Sequence, residues 1–252
     1  MPDRIVALGA SNLVRGLPTL VAAARAASGP TVEVLAALGH GRSYGGRSVF
    51  LARALPGILE CGLWRELERL PAAPTRALIT DVGNDILYGH SAEQVLAWVG
   101  EAADRLLRFT RDIVLTDLPL ASIGRLTKAK YLAVRSLLFP GCRVSLEQAR
   151  ESAARIDEGL PALAAARGLR LQHLREEWYG FDPIHMRPSQ WREAWLEILA
   201  GGDAQIPAGR SARGEWLRLY LMRPERRWLF GREQYTTQPG TALPAGGIVR
   251  LY

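Results

Sequence analysis

The sequence predicts a three-layer α/β/α domain built on a central, mostly parallel five-stranded sheet. Two observations lead to this prediction. Short apolar runs alternate with long amphipathic runs along the first 200 residues, and most of the short runs have no polar face. Such alternation is typical of βα units, and strands without a polar face are typical of a sheet covered by helices on both sides. A chain of 252 residues that is 48% apolar is long enough to fill such a core.

The individual elements follow from two hydrophobic periods. Five short runs rich in β-branched residues or leucine are predicted strands, at residues 5–8, 32–38, 77–80, 113–116 and 169–173. Four longer stretches are predicted helices because their apolar residues recur every three or four positions. These helices cover residues 17–27, 92–109, 146–166 and 190–199.

A change of composition divides the chain into a predicted main domain, residues 1–200, and a C-terminal extension, residues 201–252. The stretch "GGDAQIPAG" is a predicted linker, and residues 215–237 alternate large apolar with charged side chains, as a hairpin does. The extension, which is rich in arginine and tryptophan, is therefore predicted to be β-rich. It is a candidate for packing on the main domain, for a lid, or for a contact between copies in a homo-oligomer.

Charge and cysteine content bear on compartment and partners. The formal net charge is +7, but lysine occurs only at positions 128 and 130 and the arginines are scattered, so no nucleic-acid partner is expected. No run of about 18 apolar residues occurs, so no membrane span is expected. Two cysteines, Cys61 and Cys142, are too few for a disulfide framework in a chain of this size. We expect a soluble, cytoplasmic protein.

Polar residues follow four of the predicted strands. In an open parallel sheet, ligands bind beyond the carboxyl ends of the strands. "GASN" follows the first strand, "GHGRSYGG" the second, "DVGNDILYG" the third and "GFDPIHMRP" the fifth. Ser11 by itself is weak evidence for chemistry, since a serine at a helix start commonly caps free N–H groups. A nucleophilic serine needs a base within reach and a third group that orients this base.

Asp182 and His185 are the candidate partners of Ser11. A carboxylate three residues before an imidazole can accept its Nδ1–H, which leaves Nε2 free to accept the serine proton. Pro183 stiffens the turn between them. The alternative is that Asp182 caps the following helix and His185 is a polar surface residue.

An acyl-transfer reaction also needs donors for the negative charge that develops on the substrate oxygen. Asn84 is a candidate through its side-chain amide, and a glycine in the second loop would let a backbone N–H approach the same oxygen. Gly41 is the preferred glycine, with Gly39 and Gly45 as alternatives. The backbone amide of Ser11, at a helix N-terminus, is a third candidate donor. Each glycine is otherwise an ordinary turn residue.

The four stretches, in this order, resemble the serine, glycine, asparagine and histidine blocks of the SGNH (GDSL-type) hydrolase family. The matching segments are Gly9-Ala10-Ser11, "HGRS" at 40–43, "GND" at 83–85 and "DPIH" at 182–185, and the resemblance spans about residues 5–190. It implies a flavodoxin-like fold, no metal or other cofactor, and hydrolysis of carboxylic esters or thioesters. It also implies a catalytic triad of Ser11, Asp182 and His185 and an oxyanion hole of Ser11, Gly41 and Asn84.

Two departures from the family pattern affect the site. Ala10 stands where the first block usually has an acidic residue, which removes a carboxylate that helps to organise the site in many members. Gly83 lies one position nearer to Asn84 than usual. Both changes fall beside residues that the mechanism needs.

Two other functions are compatible with the sequence. His40 and His90 fall in the same loops, and with Asp182 and His185 they could hold a metal ion that activates water, although their spacing is not that of a helical ligand pair. Alternatively, "GASN" receives a phosphate at the helix N-terminus of a non-catalytic, flavodoxin-like binding module. That interpretation leaves Asp182 and His185 without a purpose.

The expected partner is a small-molecule ester. We favour a small acyl group such as acetyl on a polar alcohol, while thioesterase and transacylase activities would use the same triad. Residues 121–141 form a longer connection than a βα unit needs and contain a possible helix. They are a candidate wall of the acyl pocket or, alternatively, a surface insertion.

Overall fold

The computed structural model describes residues 3–200, 213–243 and 246–252, in which strands and helices alternate. The strands of the first part are β1 (Arg4–Leu8), β2 (Glu33–Ala37), β3 (Ser48–Phe50), β4 (Arg53–Leu55), β5 (Thr75–Ile79), β6 (Asp112–Thr116) and β7 (Arg170–Gln172). Its helices are α1 (Ser11–Ser28), α2 (Leu63–Arg69), α3 (Ala92–Leu106), α4 (Leu120–Ile123), α5 (Lys128–Leu138), α6 (Leu146–Arg167) and α7 (Trp191–Ala200). Beyond residue 212 follow α8 (Arg213–Tyr220), β8 (Arg226–Leu229), β9 (Arg232–Tyr235), β10 (Thr241–Ala242) and β11 (Ile248–Leu251).

The main sheet contains seven strands within the described residues, in the order β10-β11-β2-β1-β5-β6-β7. All neighbours pair in parallel except β10 and β11, which are antiparallel. The prediction of a mostly parallel α/β/α sheet is confirmed. The predicted number of five strands is wrong, because two strands of the extension, β10 and β11, continue the sheet beyond β2.

Helices cover both faces of this sheet, and the alternation of side chains along β1 shows how the core is divided. Ile5 and Ala7 are buried in the cluster that includes α1 and α7. Val6 and Leu8 point the other way, into the cluster formed with α2, α3 and α6. Since successive strand residues face opposite sides, a strand buried on both sides must be apolar throughout. The carboxyl end of β1 is thereby fixed between two packed layers.

The extension differs from the hairpin that alternation predicted over residues 215–237. Its first described element is the helix α8, and the hairpin β8–β9 starts only at Arg226. The reason is the spacing of Trp216 and Tyr220, four residues apart, whose rings stack at a centroid distance of 5.2 Å on one helix face. Leu219 is buried against the core beside α1. The predicted linker, "GGDAQIPAG", lies outside the described residues.

A second, antiparallel sheet joins the extension to the loop that follows β2. Its strand order is β3-β4-β8-β9. The described part of the extension therefore contacts the main domain through at least three elements: α8 beside α1, β11 beside β2 and β8 beside β4. Within the described ranges, no helix combines the length and the apolar character needed to cross a membrane.

Candidate active site

Three side chains from opposite ends of the chain meet at the carboxyl edge of the main sheet. His185 Nε2 lies 2.9 Å from Ser11 Oγ, and His185 Nδ1 lies 2.7 Å from Asp182 Oδ2. With the imidazole hydrogen on Nδ1 donated to Asp182, Nε2 can accept the hydroxyl proton of Ser11. The expected juxtaposition of these three residues is thus present in the structure.

Asp182 is half-exposed, and its surroundings favour the charged form. Burial alone would raise its pKa, but the hydrogen bond from His185 and the positive charges of His185 and Arg15 hold the pKa of Asp182 below its ordinary value. Arg15 Nη1 lies 3.7 Å from Asp182 Oδ2. The backbone amide of Ile184 donates to the other oxygen, Oδ1, at 3.2 Å. The carboxylate is therefore ionised at neutral pH and oriented toward the imidazole.

Ser11 does not cap its helix. The N-cap residue is Ala10, and the free amides of the first turn are taken by Asp81, which follows β5. Oδ2 of Asp81 accepts from the backbone N–H groups of Ala10 (2.9 Å), Asn12 (3.0 Å) and Leu13 (3.2 Å). A carboxylate at a helix N-terminus also interacts favourably with the helix dipole. The capping interpretation of Ser11 is wrong, and its hydroxyl is left free to contact His185.

Asn12 connects the nucleophile loop to the loop that carries His185. Its Nδ2 donates to Oδ1 of Asp81 at 2.8 Å and to the Ile184 carbonyl at 3.0 Å. Its Oδ1 accepts from the Met186 amide at 2.8 Å. Because Asn12 is buried and bonded on both sides of His185, it fixes the distance between the imidazole and Ser11.

The two predicted oxyanion donors beyond Ser11 line the same cavity as Ser11, Asp182 and His185. Gly41 has a φ of +64°, a left-handed conformation, and a Cβ at this position would lie 3.1 Å from the Phe139 ring. Its carbonyl accepts from the Tyr88 hydroxyl at 2.7 Å. Asn84 begins a 3-10 turn, and its Nδ2 donates to the Asp81 carbonyl at 3.2 Å.

The alternative glycines have packing roles instead. A Cβ on Gly39 would lie 2.2 Å from a methyl group of Leu55, and a Cβ on Gly45 would lie 2.0 Å from the Trp98 ring. Of the three glycines considered, only Gly41 lines the cavity that contains Ser11.

Asp85 ties the glycine loop to the asparagine turn. It is fully buried, accepts a hydrogen bond from the Ser43 hydroxyl, and accepts from the Tyr44 amide at 3.0 Å. Burial raises the pKa of Asp85, and these hydrogen bonds oppose the rise. Since Asp85 follows Asn84 directly, the loop containing Gly41 and the side chain of Asn84 are positioned by one carboxylate.

The remaining loop histidines do not converge on the triad as a ligand cluster. His40 lines the cavity and stacks on Phe50 at 5.4 Å between ring centroids, while His90 packs edge-on against Trp98 at 4.6 Å. Burial, followed by the nearby positive charges of Arg53, Arg15 and His185, lowers the pKa of His40 to about 4. Among the residues that the structure describes, no three His, Cys, Asp or Glu side chains form a metal-binding group.

Sequence reasoning missed two residues that organise the site, Asp81 and Asn12. Both lie within the stretches "DVGND" and "GASN" that drew attention to this edge. The available signal was the position of Asp81, a carboxylate directly after a buried strand and beside a neighbouring helix N-terminus. Its carboxylate accepts hydrogen bonds from the amides at and after Ala10. Position 10 is where the first block of the SGNH pattern usually has an acid.

Comparisons with known proteins concern the fold. No protein-family model matches the sequence, and no curated protein matches it. The psychrotrophic esterase EstA from Pseudoalteromonas sp. is similar at 12% identity with a TM-score of 0.47, over 79% of this chain and 96% of that one. A member of the lipolytic protein G-D-S-L family from Veillonella parvula has 12% identity and a TM-score of 0.48, over 80% and 99%. TesA has 16% identity and a TM-score of 0.45, over 79% and 97%. At these identities, chemistry must be inferred from this chain's own side chains.

Proposed function

We propose that this protein is a serine-dependent esterase of the SGNH (GDSL) type that hydrolyses carboxylic esters through an acyl-serine intermediate. The observation that carries the proposal is the continuous path of contacts from Asp182 through His185 to Ser11, at 2.7 Å and 2.9 Å. These distances lie within the range expected of a nucleophile, its base and the group that orients the base.

In the first step, Ser11 Oγ attacks the ester carbonyl carbon while its proton passes to His185 Nε2. Asp182 stabilises the resulting imidazolium. The carbonyl oxygen becomes an oxyanion, which the amides of Ser11 and Gly41 and the side chain of Asn84 stabilise. When the tetrahedral intermediate collapses, the bond to the alcohol oxygen breaks and His185 returns the proton to the departing alcohol.

In the second step, water hydrolyses the acyl-enzyme. His185 accepts a proton from the water as its oxygen attacks the acyl carbon, and the same N–H donors stabilise the second oxyanion. Collapse breaks the bond to Ser11 Oγ, which regains its proton from His185. The products are a free carboxylic acid and the original enzyme.

The contacts of Asp81 argue against the rival phosphate-binding function. A phosphate at the start of α1 would need the free amides there, but the carboxylate of Asp81 already accepts from three of them. Bringing a second anion to this place would add like-charge repulsion. The helix N-terminus is therefore better suited to hold the nucleophile loop than to hold a free anion.

The test is the variant Ser11→Ala, with Ser91→Ala as the matched control. Ser91 caps α3 by accepting from the Gln94 amide and lies away from the cavity. Ser11→Ala should lower kcat on a p-nitrophenyl ester by about 10⁴ to 10⁶, the scale of nucleophile loss in such triads. Ser91→Ala should retain the activity of the natural chain.

Covalent labelling gives an independent measurement. A fluorophosphonate ester probe should add one adduct, at Ser11, in the folded natural chain and none in Ser11→Ala. Turnover that survives Ser11→Ala, or a folded protein that the probe does not label, would contradict the proposal. Loss of turnover on adding EDTA would favour the metal-assisted alternative.

A further inference from the structure

The cavity that opens at Ser11 continues beneath α5 and reaches the first turns of α6. Its volume is about 560 Å³, within the range of small-molecule sites. From α5, Tyr131, Val134 and Leu138 line the cavity, and their spacing of three and four residues places them on one helix face. Leu118 and Ile123 contribute from the segment after β6. Away from Ser11, Asp182 and His185, most of the wall is therefore built from apolar side chains.

The charged side chains along this wall have protein partners of their own. Lysine and arginine heads are bonded to backbone carbonyl groups, and the carboxylate is bonded to a neighbouring loop. The contacts are Lys130 Nζ to Phe181 O (3.3 Å), Arg135 Nη1 to Val144 O (3.0 Å), Arg150 Nη2 to Gly124 O (2.7 Å) and Leu126 O (2.9 Å), and Asp117 Oδ2 with His173 Nδ1 (2.6 Å).

Two lining residues have a polar atom without a hydrogen-bond partner, Arg150 Nε and the Tyr179 hydroxyl, but both atoms are buried within the protein. A charged or strongly polar occupant beside the α5 side chains Tyr131, Val134 and Leu138 would therefore face mainly apolar groups. Moving such a group from water into an apolar cavity without a partner is costly, whereas each buried methylene is stabilised by about 0.8 kcal/mol. The occupant that the lining selects is therefore an uncharged hydrocarbon chain. This differs from the small acetyl group that the sequence favoured.

The length of the apolar stripe sets the scale of that chain. The stripe from Tyr131 to Leu138 covers seven residue steps, which corresponds to about 10 Å along the helix axis. An extended chain advances about 3.5 Å for every three bonds. A chain of about eight to ten carbons would run along the whole stripe.

The geometry points to a substrate class: we infer that the cavity beneath α5 binds the acyl chain of a medium-chain aliphatic ester, of about eight to ten carbons. This inference rests on the proposed function, since the chain is the acyl part of the ester that Ser11 attacks. The acyl carbonyl would sit at Ser11, Gly41 and Asn84, and the hydrocarbon would extend along Tyr131, Val134 and Leu138. The alcohol part would leave the cavity on the solvent side.

The first experiment measures kcat/KM on two matched series of esters. In the acyl series, p-nitrophenyl esters range from acetate to laurate, and kcat/KM should rise about fourfold for each added methylene until eight to ten carbons. In the alcohol series, acetate esters of methanol to decanol should show little dependence on chain length. A flat acyl series beside a measurable acetate rate would overturn the acyl-chain assignment and leave the esterase intact. A dependence confined to the alcohol series would overturn it in the same way.

The second experiment obstructs the cavity. Val134→Trp places a large side chain on the inner face of α5, and the matched control, Leu137→Trp, places the same side chain on its exposed face, where Leu137 is 69% exposed. Val134→Trp should lower the ratio of decanoate to acetate turnover at least tenfold, and Leu137→Trp should leave that ratio unchanged. An unchanged ratio in folded Val134→Trp would contradict the inference.

A binding measurement keeps the two proposals separable and does not depend on a single folded variant. Decanoic acid should raise the melting temperature of the Ser11→Ala chain, while acetate at the same concentration should not. Stabilisation by decanoic acid without ester turnover in the natural chain would support the cavity and contradict the esterase. Turnover of acetate esters without stabilisation by decanoic acid would contradict the cavity alone.

Discussion

The candidate site has two halves, named here after the roles proposed for their residues, and two carboxylates of the same loop hold them in different ways. Asp81 holds the nucleophile half, Ser11 with its helix, through amides at the start of α1. Asp85, four residues later, holds the oxyanion half by bonding Ser43 and Tyr44 in the loop that contains Gly41. Asp81 is only partly buried and faces a helix dipole, whereas Asp85 is fully buried. The comparison indicates that one short loop sets the relative position of Ser11, the proposed nucleophile, and of Gly41 and Asn84, the proposed oxyanion donors.

Apart from loss of Ser11 itself, the largest expected effect comes from removing a donor of the oxyanion half. Asn84→Ala should lower kcat by about 10² to 10³ with little change in KM, because this donor acts mainly on the charge formed in the transition state. Steady-state kinetics on a p-nitrophenyl ester measures the effect. A change in KM alone would mean that Asn84 binds the ground state, and the division of roles between the two halves would fail.

The anchor of the oxyanion half should matter next, and mainly for stability. Asp85→Ala leaves the Ser43 hydroxyl and the Tyr44 amide buried without an acceptor, at about 1–3 kcal/mol for each. The free energy of unfolding in urea should fall by about 2–4 kcal/mol. The exposed ion pair of Asp104 with Arg167 provides the control, since Asp104→Ala should cost less than about 1 kcal/mol. Equal losses in the two variants would contradict the anchoring role of Asp85.

The anchor of the nucleophile half should affect turnover more than stability. Asp81→Asn keeps the shape of the side chain but removes the charge that accepts from three amides and from Asn12. We expect kcat to fall about tenfold, because the hydrogen bonds lost are charge-assisted and position Ser11 relative to His185. The rate of fluorophosphonate labelling should fall in parallel. Unchanged labelling would show that Ser11 keeps its position without the charge.

The smallest expected effect is on the pH dependence of stability, which differs between His40 in the oxyanion half and Asp182 beside the proposed nucleophile. His40, in the oxyanion half, has a folded-state pKa of about 4, below its unfolded value of about 6.5, so the unfolded chain binds more protons between these values. Stability should therefore fall as pH drops from about 6.5 to 4. For Asp182, whose pKa is lowered, stability is lost only as pH falls through that lowered value. Melting temperatures of the natural chain and His40→Gln, measured against pH, should differ in slope only in the first window. If melting temperature changed with pH by the same slope in both proteins between about pH 6.5 and 4, the lowered pKa of His40 would be contradicted.

The sequence alone predicted the central layers well, because β1, β2, β5 and β6 are largely buried apolar runs. The edge strand β7, with the sequence RLQ, is only partly buried and was predicted from its leucines. The sequence did not predict that β11 joins the main sheet, since "IVRL" is four residues long and no local pattern encodes a partner more than 200 residues away. For α1 the hydrophobic period covered only residues 17–27, while the helix start was indicated by Ser11 alone. The amides at that start are satisfied by Asp81 from another loop and not by a local cap.

The candidate site was predictable to a similar degree. Serine, aspartate and histidine act together in nucleophilic catalysis. The sequence showed Ser11 after the first predicted strand, and Asp182 and His185 after the fifth. Asp81 and Asn12 were not identified, because an acid after a strand and an asparagine in a first helical turn have many ordinary uses. The apolar wall on α5 was visible only as a long connection, since the direction of Val134 depends on where the whole helix lies.

The pairing of β11 with β2 has a consequence for how the chain is made. β2 emerges early in synthesis, but residues 248–251, which cover its open side, are translated more than 200 residues later. During that interval β2 presents unpaired N–H and C=O groups along one side, which is a template for association with another nascent chain. Truncation before residue 248 should therefore increase inclusion-body formation more than it changes helix content, and expression with a chaperone should recover much of the loss.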